Sequence, residues 1–313
     1  MLEPPYGEIA DLLRAGEVVP FLGAGVNFGG RPSGERWTEK TDSFLPSGAE
    51  LSQFLARQSN FPAEDDDDAM DLAKVSSYFV EASARRRLRE HLRKIFDREY
   101  APCSIHSYLA EIDAPMLLVT TNYDTLAEQA FRQAGRPFDL VIHPTDRKDV
   151  EASVLWWKHG DPEPVAVPPN QLFIDLKTTT VIYKMHGSID RQLRKWDSYV
   201  ITEEDYVDFL SRMTGQTAIP ALFMRHFRTR HFLFLGYGLR DWNFRVVLKN
   251  LRDAPPTVGR SDAPDDEEEE DIRSWAIQYR PSTLETELWN ARQIRIYDVD
   301  INQFVQRMRE ENA

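Results

Sequence analysis

Apolar runs in this sequence repeatedly stop on residues that can do chemistry. "VIYKMHGSID", Val181 to Asp190, breaks off at His186, Gly187 and Ser188. "APMLLVTTNYD" breaks off at Thr120, Thr121, Asn122, Tyr123 and Asp124. "EVVPFLGAGVN" runs into Gly23, Ala24, Gly25, Val26 and Asn27, and "HFLFLGYG" into Gly236, Tyr237 and Gly238. A neutral imidazole in a cleft can take a proton near neutral pH. A carboxamide such as that of Asn122 can hold a sugar hydroxyl or a water. Glycines after a strand allow a pyrophosphate close to the backbone, and a helix N-terminus behind them would offer free N–H groups. Gly236 and Gly238 would provide a second close approach, suited to an adenine ribose.

Each of these features also has a plainer reading. The spacing from Gly23 is G-x-G-x-x-x-G, which a tight strand-to-helix turn would equally explain. Asp124 is placed to cap a helix starting at Thr125. His186 alone would pass for a core histidine bonded to a carbonyl. The argument for a site is collective, because the strands that end this way would have to end at the same place.

The elements around them supply that condition. Continuous apolar strands at 114–124, 139–143, 179–188 and 231–238 alternate with helical patterns. "SGAELSQFLARQS" begins with a capping box, Ser47 followed by Glu50. "TLAEQAFRQAG" closes on Gly135, and "ITEEDYVDFLSRM" starts its helix at Thr202. "DWNFRVVLKNL" and "INQFVQRMRE" read as helices, with "SWAIQY" and "IRIYDVD" as short strands between them. Such alternation predicts an α/β fold, a doubly wound Rossmann-like parallel sheet covered on both faces. Ligands of such sheets sit beyond the carboxyl ends of the strands. Residues 1–313 are expected to form a single domain. Helical insertions at 62–100 and 190–228 would form a small subdomain, residues 144–177 read as irregular, and the acidic stretch 254–271 reads as a mobile loop.

Composition removes several function classes. With 42% hydrophobic residues and 11% aromatics the chain can bury a large core. The single cysteine, Cys103, rules out a disulfide framework and a four-cysteine zinc site. No apolar window approaches the ~20 residues that span a bilayer. The N-terminal stretch does not resemble a signal peptide, so a cytoplasmic location is expected. A formal net charge of −13 opposes the approach of nucleic acid, and no direct sequence-specific nucleic-acid binding is expected. Two basic runs, Arg85 to Lys94 and Arg225 to His231, read as solvated helix faces and are the candidate assembly surfaces.

"FLGAGVN", "TTNYD" and "KMHGS" occur in the order and spacing of the sirtuin family, which the sheet core of this chain resembles. Gly23, Ala24 and Gly25 match the G-A-G loop, with Asn27 where serine is usual. Thr120, Asn122 and Asp124 match the second motif, with Thr121 replacing glutamine, and His186, Gly187 and Ser188 match the third. Protein-deacylating sirtuins carry a four-cysteine zinc module after that motif. Here "RQLRKWDSYVITEEDYVDFL" follows, and together with "LGYGLRDWNF" it is similar to bacterial defence-associated sirtuin-like proteins. The resemblance implies NAD+ as substrate with no metal, and cleavage of the nicotinamide–ribose bond in defence against phage. It implies catalytic roles for Asn122, His186 and Asp124. Gly23, Ala24, Gly25, Asn27, Thr121, Ser188, Gly236, Tyr237 and Gly238 would surround the dinucleotide. It also implies a homo-oligomer gated by assembly or by a partner such as a HerA-type hexameric ATPase. Two other readings stay open, a zinc-free protein deacylase or ADP-ribosyltransferase and a non-catalytic NAD or ADP-ribose sensor.

Overall fold

The computed structural model describes residues 3–65, 67–145, 150, 152–214, 218–237, 274–290 and 292–311. The expected helix from Asp241, the acidic stretch 254–271 and Gly238 lie outside the described residues.

Four strands carry the candidate motifs: β1 (Val18–Leu22), β2 (Leu117–Thr120), β6 (Val181–Lys184) and β7 (His231–Leu235). They are adjacent and parallel in the order β6-β2-β1-β7 within a nine-stranded sheet of the described residues. β3 (Asp139–Ile142) lies beyond β6, and β8 (Ser274–Gln278) and β9 (Ile294–Asp298) extend the other side, all in parallel. The order reverses at β1, which has β2 on one flank and β7 on the other. A crevice opens where strand order reverses in such sheets.

Register decides what meets there. Leu22 pairs with Thr120 and with Leu235, and Thr120 pairs with Lys184. The four strands therefore end level, and the residue after each end faces the same side of the sheet edge. Alternation along each strand builds two cores. Val19 and Phe21 of β1 join Val119, Tyr183 and Phe234 on one face. Val18 and Leu22 join Leu118, Ile182 and Leu235 on the other. The second face is covered by α1 (Tyr6–Arg14), α5 (Ser104–Glu111), α6 (Leu126–Gln133) and α10 (Ile301–Glu311). The first is covered by α7 (Glu203–Thr214) and α8 (Ala221–Thr229), through Phe209, Phe223 and Phe227, and by Trp289 of α9 (Thr283–Asn290).

Residues 144–177 differ from the sequence expectation. They contain β4 (Val154–Trp157) and β5 (Val165–Val167), which add antiparallel to the β3 edge. Both are short apolar runs, VLWW and VAV, set among charged residues and prolines, and β5 is largely exposed, so neither stands out in the sequence as a buried strand.

α2 (Gly48–Ser59), α3 (Leu72–Ala82) and α4 (Arg85–Phe96) pack around a third core. The capping box that starts α2 is formed, with Glu50 N–H donating to Ser47 at 3.2 Å and Ser47 N–H to Glu50 at 2.8 Å. This cluster also takes Ile189, Tyr199 and Ile201 from the stretch after β6. Of the expected insertion at 190–228, the first part thus joins the helical cluster, while Phe209, Phe223 and Phe227 pack on the sheet.

The basic run of α4 is not a free solvated face. Arg85, Arg89 and Arg93 each bond main-chain carbonyls between residues 190 and 199. Spacing of four residues puts the three on one helical stripe, and that stripe lies against the turn that carries those carbonyls.

Candidate active site

The level strand ends open into a cavity of about 1070 Å³. Gly23, Ala24, Gly25, Asn27, Thr121, Asn122, Asp124, His186, Gly236 and Tyr237 all line it. The opposite wall comes from the start of α2 (Pro46 to Ala49), from Asp67 to Ala73, and from Tyr206 and Val207 of α7. That wall is not legible in the sequence. The capping box at Ser47 was legible as a helix start, but nothing local says that this start faces the strand ends.

The glycines act differently from the expectation. Gly23 N–H donates to Leu235 O at 2.9 Å, Gly25 N–H to Gly236 O at 2.9 Å, and Val26 N–H to Gly23 O at 3.2 Å. The segment that follows, Ala24–Gly30, is a 3₁₀ turn, not an α-helix. These N–H groups are therefore committed within the protein and do not form an open phosphate cradle. The missing side chains instead let the β1 and β7 loops touch. A Cβ on Gly25 would sit 2.5 Å from Gly236 O, and one on Gly23 would sit 2.7 Å from the same oxygen.

Asn122 is pinned on the cavity floor. Its Nδ2 donates to Gly23 O at 3.2 Å and its N–H to Thr120 Oγ1 at 3.0 Å. Tyr237 reaches across, its hydroxyl donating to Thr121 Oγ1 at 2.9 Å. Asp124 combines the plain reading and the functional one. Its Oδ1 accepts from Leu126 N–H at 3.0 Å, capping α6, and its Oδ2 accepts from Asn27 Nδ2 at 3.1 Å. Both carboxylate oxygens are engaged, so Asp124 orients Asn27. Asn27 Oδ1 is left buried without a partner among the described residues. A buried acceptor of this kind costs about 1–3 kcal/mol unless a donor arrives. Beneath Asp124, fully buried Lys184 donates to the main-chain oxygen of Asp124 and pairs with Glu128 at 3.1 Å.

Ser188 does not line the cavity. It is buried, and its hydroxyl donates to Ile189 O at 3.0 Å. Gly187 turns the chain inward at φ +88°, so only His186 of the three-residue motif faces the site. His186 is 8% exposed and stands edge-on to Tyr206 and Phe209, with ring centroids 5.4 Å from each. Burial pushes its pKa down to about 3, so the imidazole is neutral at neutral pH.

Two further buried histidines behave alike. Burial, with Arg212 adding, pushes His143 down to about 3. Burial also lowers His106, with Lys184 adding and Asp124 opposing. All three bind protons more readily when unfolded, near pH 6.5, than when folded. Their stabilisation is complete above about pH 6.5 and is lost as pH falls toward the folded values. Each steepens the loss by about 1.4 kcal/mol per pH unit. Urea midpoints are expected to drop sharply between pH 7 and pH 5, before most carboxylates titrate. An unchanged midpoint over that interval would show that the rings are solvated.

Among the described residues, no cluster of three or more His, Cys, Asp or Glu side chains could hold a metal, and no helix is long and apolar enough to cross a membrane.

A parallel sheet with Asn and His on neighbouring strand ends, facing a glycine loop across a nucleotide-sized cavity, defines a class. The chain belongs to the SIR2-like domain family, whose pattern matches residues 116–297. Among curated proteins it is similar to the NAD(+) hydrolase ThsA of Acinetobacter baumannii, 26% identical over 192 residues, 60% of this chain and 33% of that protein. ThsA of Cytobacillus dafuensis is 24% identical over 185 residues, 58% of this chain and 30% of that protein. The defense-associated sirtuin 2 of Bacillus subtilis is 22% identical over 246 residues, 78% of this chain and 20% of that protein. The chain thus spans a third or less of the length of these relatives.

Proposed function

We propose that this chain hydrolyses NAD+ at the nicotinamide–ribose bond, releasing nicotinamide and ADP-ribose. The observation that carries the reading is the convergence of Asn122 and neutral, buried His186 on one cavity with the Gly23 to Asn27 loop. The names of the ThsA relatives support it.

The C–N bond breaks with its electron pair going to the nicotinamide nitrogen, which is cationic in NAD+ and leaves neutral. Positive charge develops at the ribose C1′ carbon. A water adds there, and its proton passes to His186 and then to solvent. Asn122 would hold that water or a ribose hydroxyl. Asn27 Oδ1, the buried unpartnered acceptor, would take a hydrogen bond from a ribose hydroxyl. Asp124 would keep Asn27 oriented, and Tyr237 with Thr121 would flank the dinucleotide. Protein groups perform each step, so no resident metal is part of the proposal. We extend the reading to an effector of anti-phage defence in the cytoplasm, assembled as a homo-oligomer and gated by assembly or by a partner such as a HerA-type ATPase.

The test is a time course of NAD+ with purified protein, followed for nicotinamide and ADP-ribose beside Asn122→Ala. Release by wild type and its loss in the variant is the expected result. Release only when an acyl-lysine peptide or an acceptor protein is added would replace hydrolysis by transfer. Tight NAD+ binding without release, alone and with candidate partners, would leave a sensor.

A further inference from the structure

The His186 side chain is only as well placed as the turn behind it. Val200 N–H donates to His186 O at 2.9 Å and Ser198 N–H to Ser188 O at 2.9 Å, so residues 198–200 run back along the motif. A Cβ on Gly187 would lie 2.2 Å from Ser198 O, which measures how closely the two arms are pressed together. On the sheet side the returning arm is tied to the strand ends, where the Tyr123 hydroxyl donates to Val200 O at 2.6 Å, Ser198 Oγ donates to His143 O at 3.0 Å and Tyr199 N–H donates to Thr145 Oγ1 at 2.9 Å. On its other side it is held by α4.

Three arginines of α4 do this in sequence. Arg85 Nη2 donates to Tyr199 O at 2.9 Å while its Nη1 pairs with Asp205 at 2.8 Å. Arg89 Nη2 donates to Asp197 O at 3.0 Å. Arg93 Nη1 donates to Asp190 O at 2.9 Å and pairs with Asp197 at 2.8 Å. The Asp197 carboxylate also accepts from Asp190 N–H at 2.8 Å, closing the turn. The Arg93 and Asp197 side chains are 11% and 5% exposed, so this pair is shielded from water and from salt. The neighbouring stripe of α4, Leu88, Leu92 and Ile95, is packed into the helical cluster that also carries α2 and α3. Apart from Tyr206 and Val207 of α7, the far wall of the cavity is built from those two helices and the loop before α3. One helix therefore grips both the far wall and the turn that presents His186.

We propose that Arg85, Arg89 and Arg93 form a positioning ladder that sets His186 against the substrate and ties its placement to the helical wall. Arg93, the rung with the most partners, acts only as a positioning residue, since it does not line the cavity. The proposal rests on the hydrolase reading for its kinetic consequence but not for its structural one. Arg93 Nη2 also pairs with Asp97 at 3.0 Å, so a guanidinium fork is required, because a lysine keeps the charge but cannot serve Asp190 O, Asp97 and Asp197 together.

The experiment compares wild type with Arg93→Lys, Asp197→Asn, their double variant and Arg89→Met, with exposed Arg86→Ala as control. Each is measured for NAD+ turnover, thermal midpoint and imidazole NMR signals, those of His186 being assigned by their disappearance in His186→Gln. Arg93→Lys is expected to lower kcat by about 10–100-fold with little change in KM, the scale of loss for a misplaced catalytic group. The double variant is expected to lose no more than the worse single one, because both remove one contact. The His186 signals are expected to shift or broaden while those of His106 stay. A folded Arg93→Lys protein with full kcat and an unmoved His186 signal would overturn the proposal. If Arg93→Lys does not fold, Arg89→Met, which removes only one carbonyl bond, decides by the same criteria. If wild type releases no nicotinamide, alone or with candidate partners, the hydrolase reading fails, and the His186 signals alone decide whether the ladder positions the ring.

Discussion

His186→Ala is expected to reduce NAD+ cleavage by about 10²–10⁴-fold, the usual contribution of a positioned general base. NAD+ binding should stay near the wild-type value, because the ring accepts a proton late in the reaction and carries no charge for the phosphates. The ring is held edge-on by Tyr206 and Phe209, so it has one orientation toward the cavity. Burial also sets the pH response. With the free-protein pKa pushed down to about 3, the neutral form persists well below the ordinary histidine range. The profile of kcat/KM, which reports free-enzyme groups, should therefore show no falling limb near pH 6.5. Its acid side should instead be set by the loss of stability described above. A limb near 6.5 that vanishes in His186→Gln would show a solvated ring, and unaltered turnover in His186→Ala would remove it from the mechanism.

Gly236→Ala is expected to be among the most damaging single-methyl changes in the chain. The residue sits at φ +62°, and a Cβ there would lie 2.1 Å from Val26 N and 2.5 Å from the carbonyl carbon of Gly25. The left-handed conformation costs an L-residue about 1–2 kcal/mol. Backbone overlap adds about 1–3 kcal/mol of the overpacking kind, and neither backbone can move without breaking the bond from Gly25 N–H to Gly236 O. Gly135→Ala isolates the first effect, because Gly135 has a similar φ of +66° with nothing within 4 Å of its Cβ position. Thermal melts should show Gly236→Ala losing several degrees more than Gly135→Ala. NAD+ affinity should fall in the first and not in the second, since only the first displaces the loop carrying Asn27. Equal losses would mean that the β1 and β7 loops are not interlocked.

Much of the site was written locally. An apolar strand that ends on Asn122 or His186 is readable because burial and period-two alternation act within a few residues. The Asp124 cap and the Ser47 capping box are readable for the same reason, since each bonds a backbone group two or three positions away. The parallel sheet followed from strands alternating with helices. The added antiparallel strands β4 and β5 did not show, because they are short, partly exposed and close to a proline-rich stretch.

Partnership across long separations belonged to the tertiary structure. The spacing of Gly23, Gly25 and Gly236 reads equally as a phosphate loop or a tight turn, and only register brings the two glycine segments into contact and uses up their N–H groups. Ser188 stands one residue past a glycine, and the positive φ at Gly187 turns it away from the cavity. The stripe of Arg85, Arg89 and Arg93 has the composition of a solvated face, yet its partners lie about a hundred residues away, at Asp190, Asp197 and Tyr199. By itself the sequence determined which residues end the strands, since side-chain period and backbone hydrogen bonding are local. The folded chain alone decided which of those ends face one another and what holds them, because pairing register and buried ion pairs depend on groups that only the completed sheet brings together.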